Sequence, residues 1–183
     1  MRAWQVSALH QAASMTTLGL PQPSAGQARL RVAACGLNFA DLLMAQGKYQ
    51  ERPALPYVPG MEFAGTVDAL GPNTTGPAPG TRVAAFAGSG GLAEYAVVDA
   101  ARLVPLPDAM SFAEAAAFQI AYGTSHLALT HKARLQPGET LLVHGATSGI
   151  GVAAIQMAKA AGARVIATAR GAAKAAQALA LGA

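Results

Sequence analysis

Only one cysteine, Cys35, stands in the chain. No internal disulfide can form, and no cysteine-rich zinc site can be built. That usage suits a reducing compartment, and a cytoplasmic protein is expected. Aromatic residues are scarce at 5%, and charged residues at 12%. Hydrophobic residues reach 52%, much of it alanine, yet no apolar run approaches the roughly 18 residues of a membrane span. The start, Met1-Arg-Ala-Trp-Gln-Val, lacks the apolar core and cleavage signal of a secretory leader. Acids are missing from Val152 to Ala183, where Lys159, Arg164, Arg170 and Lys174 stand alone. Residues 1–150 hold nine Lys/Arg and nine Asp/Glu, so the net charge of +4 is local. No basic cluster is interleaved with aromatics, and nucleic acid is not an expected partner.

What is present is concentrated in Leu141-Leu-Val-His-Gly-Ala-Thr-Ser-Gly-Ile-Gly151 and Arg164-Val-Ile-Ala-Thr-Ala-Arg170. The order predicts strand, glycine turn, helix, strand. Leu141 to Val143 form a short apolar run without polar alternation, as in a parallel strand covered on both faces. The helix that follows carries apolar or small residues at Ile150, Ala154, Met157 and Ala161, and Gly162 ends it. A strand over Val165 to Ala169 completes most of a βαβ unit. The start of such a helix favours a phosphate. The residues matching the dinucleotide pattern Gly-x-Gly-x-x-Gly are Ala146-Thr-Ser-Gly-Ile-Gly151, with Ala146 and Ser148 at the first two glycine positions. Ala146, Ser148, Gly149, Ile150 and Gly151 are therefore the expected cofactor-binding residues of the turn. An ordinary strand-to-helix turn is the plainer alternative.

An NAD-specific fold places an acid about 20 residues past the glycines, on the ribose 2′-hydroxyl. Here that count reaches Ala169, followed by Arg170 and Lys174. Cations without a neighbouring acid suit a 2′-phosphate. NADP(H) is the expected cofactor, with Arg170 and Lys174 as its ligands; solvated surface charges are the alternative.

Residues before this unit alternate short β-like segments with Gly/Pro turns: 28–34, 63–70, 82–86 and 93–98. They predict a small all-β barrel or sandwich. Ser111-Phe-Ala-Glu114 reads as a capping box opening a helix to about Thr130. The expected division is a β-domain over 1–110 and the first part of a nucleotide-binding domain over 111–183. Asn38 and Asp41 are three apart, so one helical turn places them on one side. Cys35 is expected to be buried and His144 to pack.

Four ordered motifs, Cys35-Gly-Leu-Asn-Phe-Ala-Asp41, Pro59-Gly-Met-Glu-Phe-Ala-Gly65, Gly138-Glu-Thr-Leu-Leu-Val-His-Gly145 and Gly149-Ile-Gly151, resemble the medium-chain dehydrogenase/reductase superfamily. The similarity runs from Met1 to Ala183 and is strongest to its zinc-independent NADPH:quinone oxidoreductases. It implies an α/β protein with a β-rich part, a GroES-like catalytic β-barrel followed by a partial Rossmann domain with a doubly wound parallel sheet. It implies hydride transfer from NADP(H) to a quinone or activated enone, a homodimer at full length, and no membrane partner. It implies that Asn38 and Asp41 lie beside the nicotinamide; their alternative is a local turn bonding its own backbone. Tyr49 and Tyr57 are candidates for the cleft wall, with barrel packing as the equal alternative, and Tyr49 is taken with Asn38 and Asp41 as catalytic. Thr124 stands where the family has a cofactor-near threonine. His126 stands where some relatives have a tyrosine touching the cofactor, with packing the even alternative. Glu62 reads as structural.

Zinc-dependent relatives have Cys and His where this chain has Asn38 and Met61, both poor zinc ligands. No metal is expected. Only two Rossmann strands are legible before Ala183, so an inactive fragment of a longer enzyme is the expectation. A zinc-free enoyl-thioester or alkenal reductase is a second enzyme reading. A non-catalytic GroES-like interaction module is a reading of another class.

Overall fold

The computed structural model describes all 183 residues. They fold as two compact units, Met1–Gln119 and Ile120–Ala183. No helix is long and apolar enough to cross a membrane.

The first unit is built on strands β1 (Arg2–Gln5), β2 (Ser14–Thr17), β3 (Gln27–Gly36), β4 (Glu62–Leu70), β5 (Arg82–Phe86), β6 (Tyr95–Asp99) and β7 (Leu103–Pro105). β1 and β2 pair as a separate antiparallel ribbon, and the others form one antiparallel sheet in the order β6-β3-β4-β5-β7. β3 alternates: Ala28 and Leu30 are fully buried, while Arg29 and Arg31 point away. This is the period-2 alternation of a strand that turns its apolar residues to the core. Phe63, Val67, Val83, Ala85, Ala96 and Val98 join them in one apolar cluster. Phe63 is fully buried, and such a side chain contributes about 1.5–3 kcal/mol.

The opposite face is covered by helix α2 (Phe112–Ala116), where Ala115 and Ala116 pack on Ala64 and Ala84. Alanines on both sides let helix and sheet approach closely. The capping box is present: Ser111 Oγ accepts from Glu114 N at 3.2 Å, and Glu114 Oε2 accepts from Ser111 N at 2.9 Å. Arg82 anchors the chain entering this helix. Its guanidinium donates 3.1 Å to Asp108 O and also to Met110 O, and lies 4.8 Å from the Phe112 ring centre. Because α2 belongs to the β-sheet, the units divide after Gln119 rather than near 110.

The helix expected from Ser111 to about Thr130 is interrupted. α2 ends at Ala116, α3 spans Gln119–His126, and a π turn follows over Leu127–Lys132. Ala115 and Ala116 bury against the sheet, whereas Ser125 and Leu129 bury within the second unit. One straight helix would have to satisfy both sets of partners.

In the second unit β8 (Thr140–His144) and β9 (Arg164–Thr168) pair in parallel, joined by α4 (Gly149–Ala160) and followed by α5 (Ala172–Ala180). Val143, Ala146, Ile155, Ala158, Val165 and Ala178 form its core. Gly162 closes α4 with φ of +77°, the left-handed turn that glycine adopts without a Cβ penalty. His144 is exposed, and its Nδ1 lies 3.0 Å from Thr168 Oγ1 across the strand pair. It therefore bonds at the surface rather than packing inside.

Candidate functional site

In the first unit, short helix α1 (Phe39–Ala45) begins after Asn38, whose extended backbone is the N-cap. Asp41 is buried, with 7% of its surface exposed. One carboxylate oxygen accepts from Asn38 N at 2.9 Å, the other from Gly60 N at 3.0 Å. Both oxygens therefore hold backbone, and they fasten α1 to the turn before β4. Asn38 Nδ2 donates 2.9 Å to Glu62 Oε1, and Glu62 is buried. The amide is held by a carboxylate on β4, so its orientation is fixed from outside its own turn. Asn38 and Asp41 are thus brought together, as their spacing predicts. Glu62, whose place in the sequence suggests only a structural role, is the partner that orients Asn38.

Asn38 and Asp41 line a cavity of about 810 Å³, whose walls also include Leu37, Phe39, Leu42 and Lys48. Small-molecule sites are commonly about 300–1,000 Å³. Leu37, Phe39 and Leu42 are exposed at 77%, 73% and 60%. Tyr49 is half-buried next to Lys48 but is not part of this wall. Tyr57 is buried, and its hydroxyl has no hydrogen-bond partner. Burial, then the Asp41 charge, raise its pKa.

Cys35 is half-buried rather than fully enclosed. Burial, then the charges of Asp41 and Glu62, push its thiol to about 12. Gly60 is required beside it: φ is +98°, and a Cβ there would stand 2.6 Å from Cys35 Sγ. A thiol held this way is not a nucleophile near neutrality.

In the second unit the glycine turn is tightly made. Ser148 N donates 2.9 Å to Gly145 O, and Ser148 Oγ accepts from Gly151 N at 3.1 Å as the N-cap of α4. Gly151 is the position of closest approach, since a Cβ there would lie 2.5 Å from Gly145 O. Ala146 is fully buried and its N–H donates 3.1 Å to Thr168 O, so it supports the turn from beneath. Ser148, Gly149 and Ile150 are exposed, and nothing lies within 4 Å of where a Gly149 Cβ would be. The start of α4 at Gly149 is therefore open to solvent, while the N–H of Gly151 is taken by Ser148. Arg170 and Lys174 are exposed on either side of Gly171, and neither is in an ion pair.

Thr124 and His126 are exposed on α3, while Ser125 between them is 2% exposed and donates 3.2 Å to Ile150 O. Ser125 belongs to none of the sequence motifs. Its one signal is that of a small hydroxyl residue among apolar helix positions, which needs an acceptor when buried. It ties α3 to the first turn of α4.

The alcohol dehydrogenase GroES-like domain model matches residues 24–108. A quinone oxidoreductase-like protein 2 homolog of Nematostella vectensis is 45% identical over 79% of this chain and 40% of its own length. A quinone oxidoreductase of Pongo abelii is 40% identical over 83% of this chain and 46% of its own. Among solved structures, the quinone oxidoreductase of Thermus thermophilus, also determined with NADPH, superposes with a TM-score of 0.88. It is 42% identical, and the match covers 100% of this chain and 58% of that one. The chain belongs to the medium-chain dehydrogenase/reductase superfamily. It combines that superfamily's GroES-like domain with part of a Rossmann domain. It spans under half the length of these two curated relatives.

Proposed function

We propose that this protein is an NADP(H)-dependent oxidoreductase that passes hydride to a quinone or an activated enone without a zinc ion. The observation that carries the reading lies in one strand–helix–strand segment. A glycine turn opens into the Ser148-capped start of α4, and the following strand ends in cations alone. Lys174 occupies the first turn of α5 and Arg170 precedes its N-cap, Gly171. A helix start is its positive end, and cations there are unfavourable unless an anion joins them. A 2′-phosphate is such an anion, and a guanidinium can meet it through two bonds. The open space at Gly149 leaves room for a pyrophosphate on the N–H groups of α4.

Bound nicotinamide would supply the hydride. In this reading the chain's own groups position and exclude. Asp41 fastens α1 to the turn before β4, Glu62 fixes the Asn38 amide, and Leu37, Phe39 and Leu42 offer a flat acceptor an apolar wall. Tyr49, Thr124 and His126 are kept as proposed neighbours of substrate or cofactor. The donor set disfavours zinc. Asn38 offers an amide already engaged by Glu62, and Met61 is a thioether buried at 4% exposure.

The test is a titration of wild type and Arg170→Ala with NADPH and NADH. Wild type should prefer NADPH, and the variant should lose much of that preference. Removing one charge-assisted bond costs about 1.5–3 kcal/mol, roughly 10- to 150-fold. Equal affinity of wild type for both cofactors would sink the reading.

A further inference from the structure

The chain has four histidines, and two of them meet. The rings of His126 and His131 have centres 5.2 Å apart and planes inclined at 69°. Their spacing of five does not suggest a pair, because on an α-helix such residues point about 140° apart. The backbone explains the meeting. Leu127–Lys132 is a π turn, and Ala133 N donates 2.8 Å to Ala128 O, five residues back. The wider turn brings the fifth residue over the first. Such turns are rare and are frequent at functional sites. Both histidines are exposed, so an ion from solvent can reach them.

The 5.2 Å separation is that of an edge-to-face ring pair, and it also matches what a shared metal requires. Two imidazoles bound to one ion at about 2.0–2.1 Å, near a tetrahedral angle, hold their ring centres about 5 Å apart. We propose that His126 and His131 form a two-imidazole chelate for one divalent transition-metal ion, with water completing the shell. Nitrogen ligands select copper, nickel or zinc over calcium or magnesium, which prefer oxygen. No Asp or Glu lies between Gln119 and Ala133 to favour those harder ions. The adjacent Lys132 adds a positive charge and holds the affinity down. The chelate shares His126 with the cofactor neighbours proposed above, so the ion is titrated without cofactor and its binding is read independently of hydride transfer.

The 183-residue protein should be titrated by calorimetry with Cu²⁺ and separately with Zn²⁺. One ion per chain should bind, copper more tightly than zinc. His126→Ala and His131→Ala should each weaken binding by more than about tenfold, the loss that even an outer-shell partner can cause. His10→Ala and His144→Ala should leave it unchanged. His126→Asn and His131→Asn, checked by circular dichroism, serve if an alanine variant misfolds. Paramagnetic resonance of the copper complex should show two coordinated nitrogens. A double variant that binds like wild type would overturn the proposal. So would loss in only one of the two single variants, dependence on His10 or His144, or no uptake at submillimolar metal.

Discussion

The Asn38–Asp41–Glu62 cluster shows how far single residues can be read from a chain. Three-residue spacing correctly brings Asn38 and Asp41 to one turn. It does not reveal that both Asp41 oxygens are committed to backbone donors, because one donor, Gly60, lies 19 residues away. Nor does it give Asn38 its Glu62 partner, 24 residues distant. The same two carboxylates act on Cys35, after burial, to raise its pKa from 9.0 to about 12. The native state therefore holds the thiol proton more tightly than the unfolded chain does. The stability from this group is complete below pH 9 and is lost as pH rises from 9 towards 12. Alkylation of native protein by iodoacetamide at about pH 8 should be much slower than alkylation in denaturant. Equal rates would show Cys35 to be exposed and unperturbed.

Elements are legible in proportion to their hydrophobic pattern. β5 falls where its apolar run predicts, and β3 and β4 extend beyond their expected ends by one to two residues. β1, β2 and β7 are not legible in the chain. They have three or four residues each and little alternation, and pairing alone defines them. Alanine hides the break between α2 and α3, because it favours helix everywhere and marks no end. The glycine turn is legible, but the duties of its glycines are not. Gly151 is where α4 meets the turn, and Gly149 faces open space. Gly151→Ala should destabilise the protein by about 1–3 kcal/mol through overpacking. Gly149→Ala should be neutral or stabilise by up to about 1 kcal/mol, as a helical glycine replaced without a clash. Urea midpoints of the two variants decide this. Equal midpoints would mean that the turn relaxes around the added methyl.

Across the whole molecule, the class of both units is legible while their division is not. The Ser111 capping box marks a helix start but says nothing about which sheet that helix covers. In the second unit the parallel pair leaves Leu142 and Ile166 exposed at 52% and 45% on one face. Hydride transfer needs reacting atoms held about 3–3.5 Å apart. A two-stranded platform with a bare apolar face is a poor holder for a nicotinamide. Residues 1–183 alone are therefore expected to give no appreciable quinone turnover with NADPH. A longer form should turn over quinone at a rate that a metal chelator leaves unchanged. Ordinary turnover by residues 1–183, on the order of 10 per second, would mean that self-association supplies the missing wall. Inhibition of the longer form by chelator would restore a metal to the reaction.

Arg82 has a consequence for proteolysis. The segment from Leu106 to Phe112 contains a proline, an aspartate and a serine, as interdomain tethers do, and a digestion planned from sequence would aim there. Its carbonyls at Asp108 and Met110 are strapped to one guanidinium, which also stacks on Phe112. Thermolysin, which cuts before apolar residues, should spare Leu106, Met110 and Phe112 in the native protein. Early cuts should fall outside this segment, at more exposed apolar residues such as Leu37 and Phe39. Replacing Arg82 with alanine should open the strap and shift early cleavage to that segment, turning a hidden fastening into a visible band.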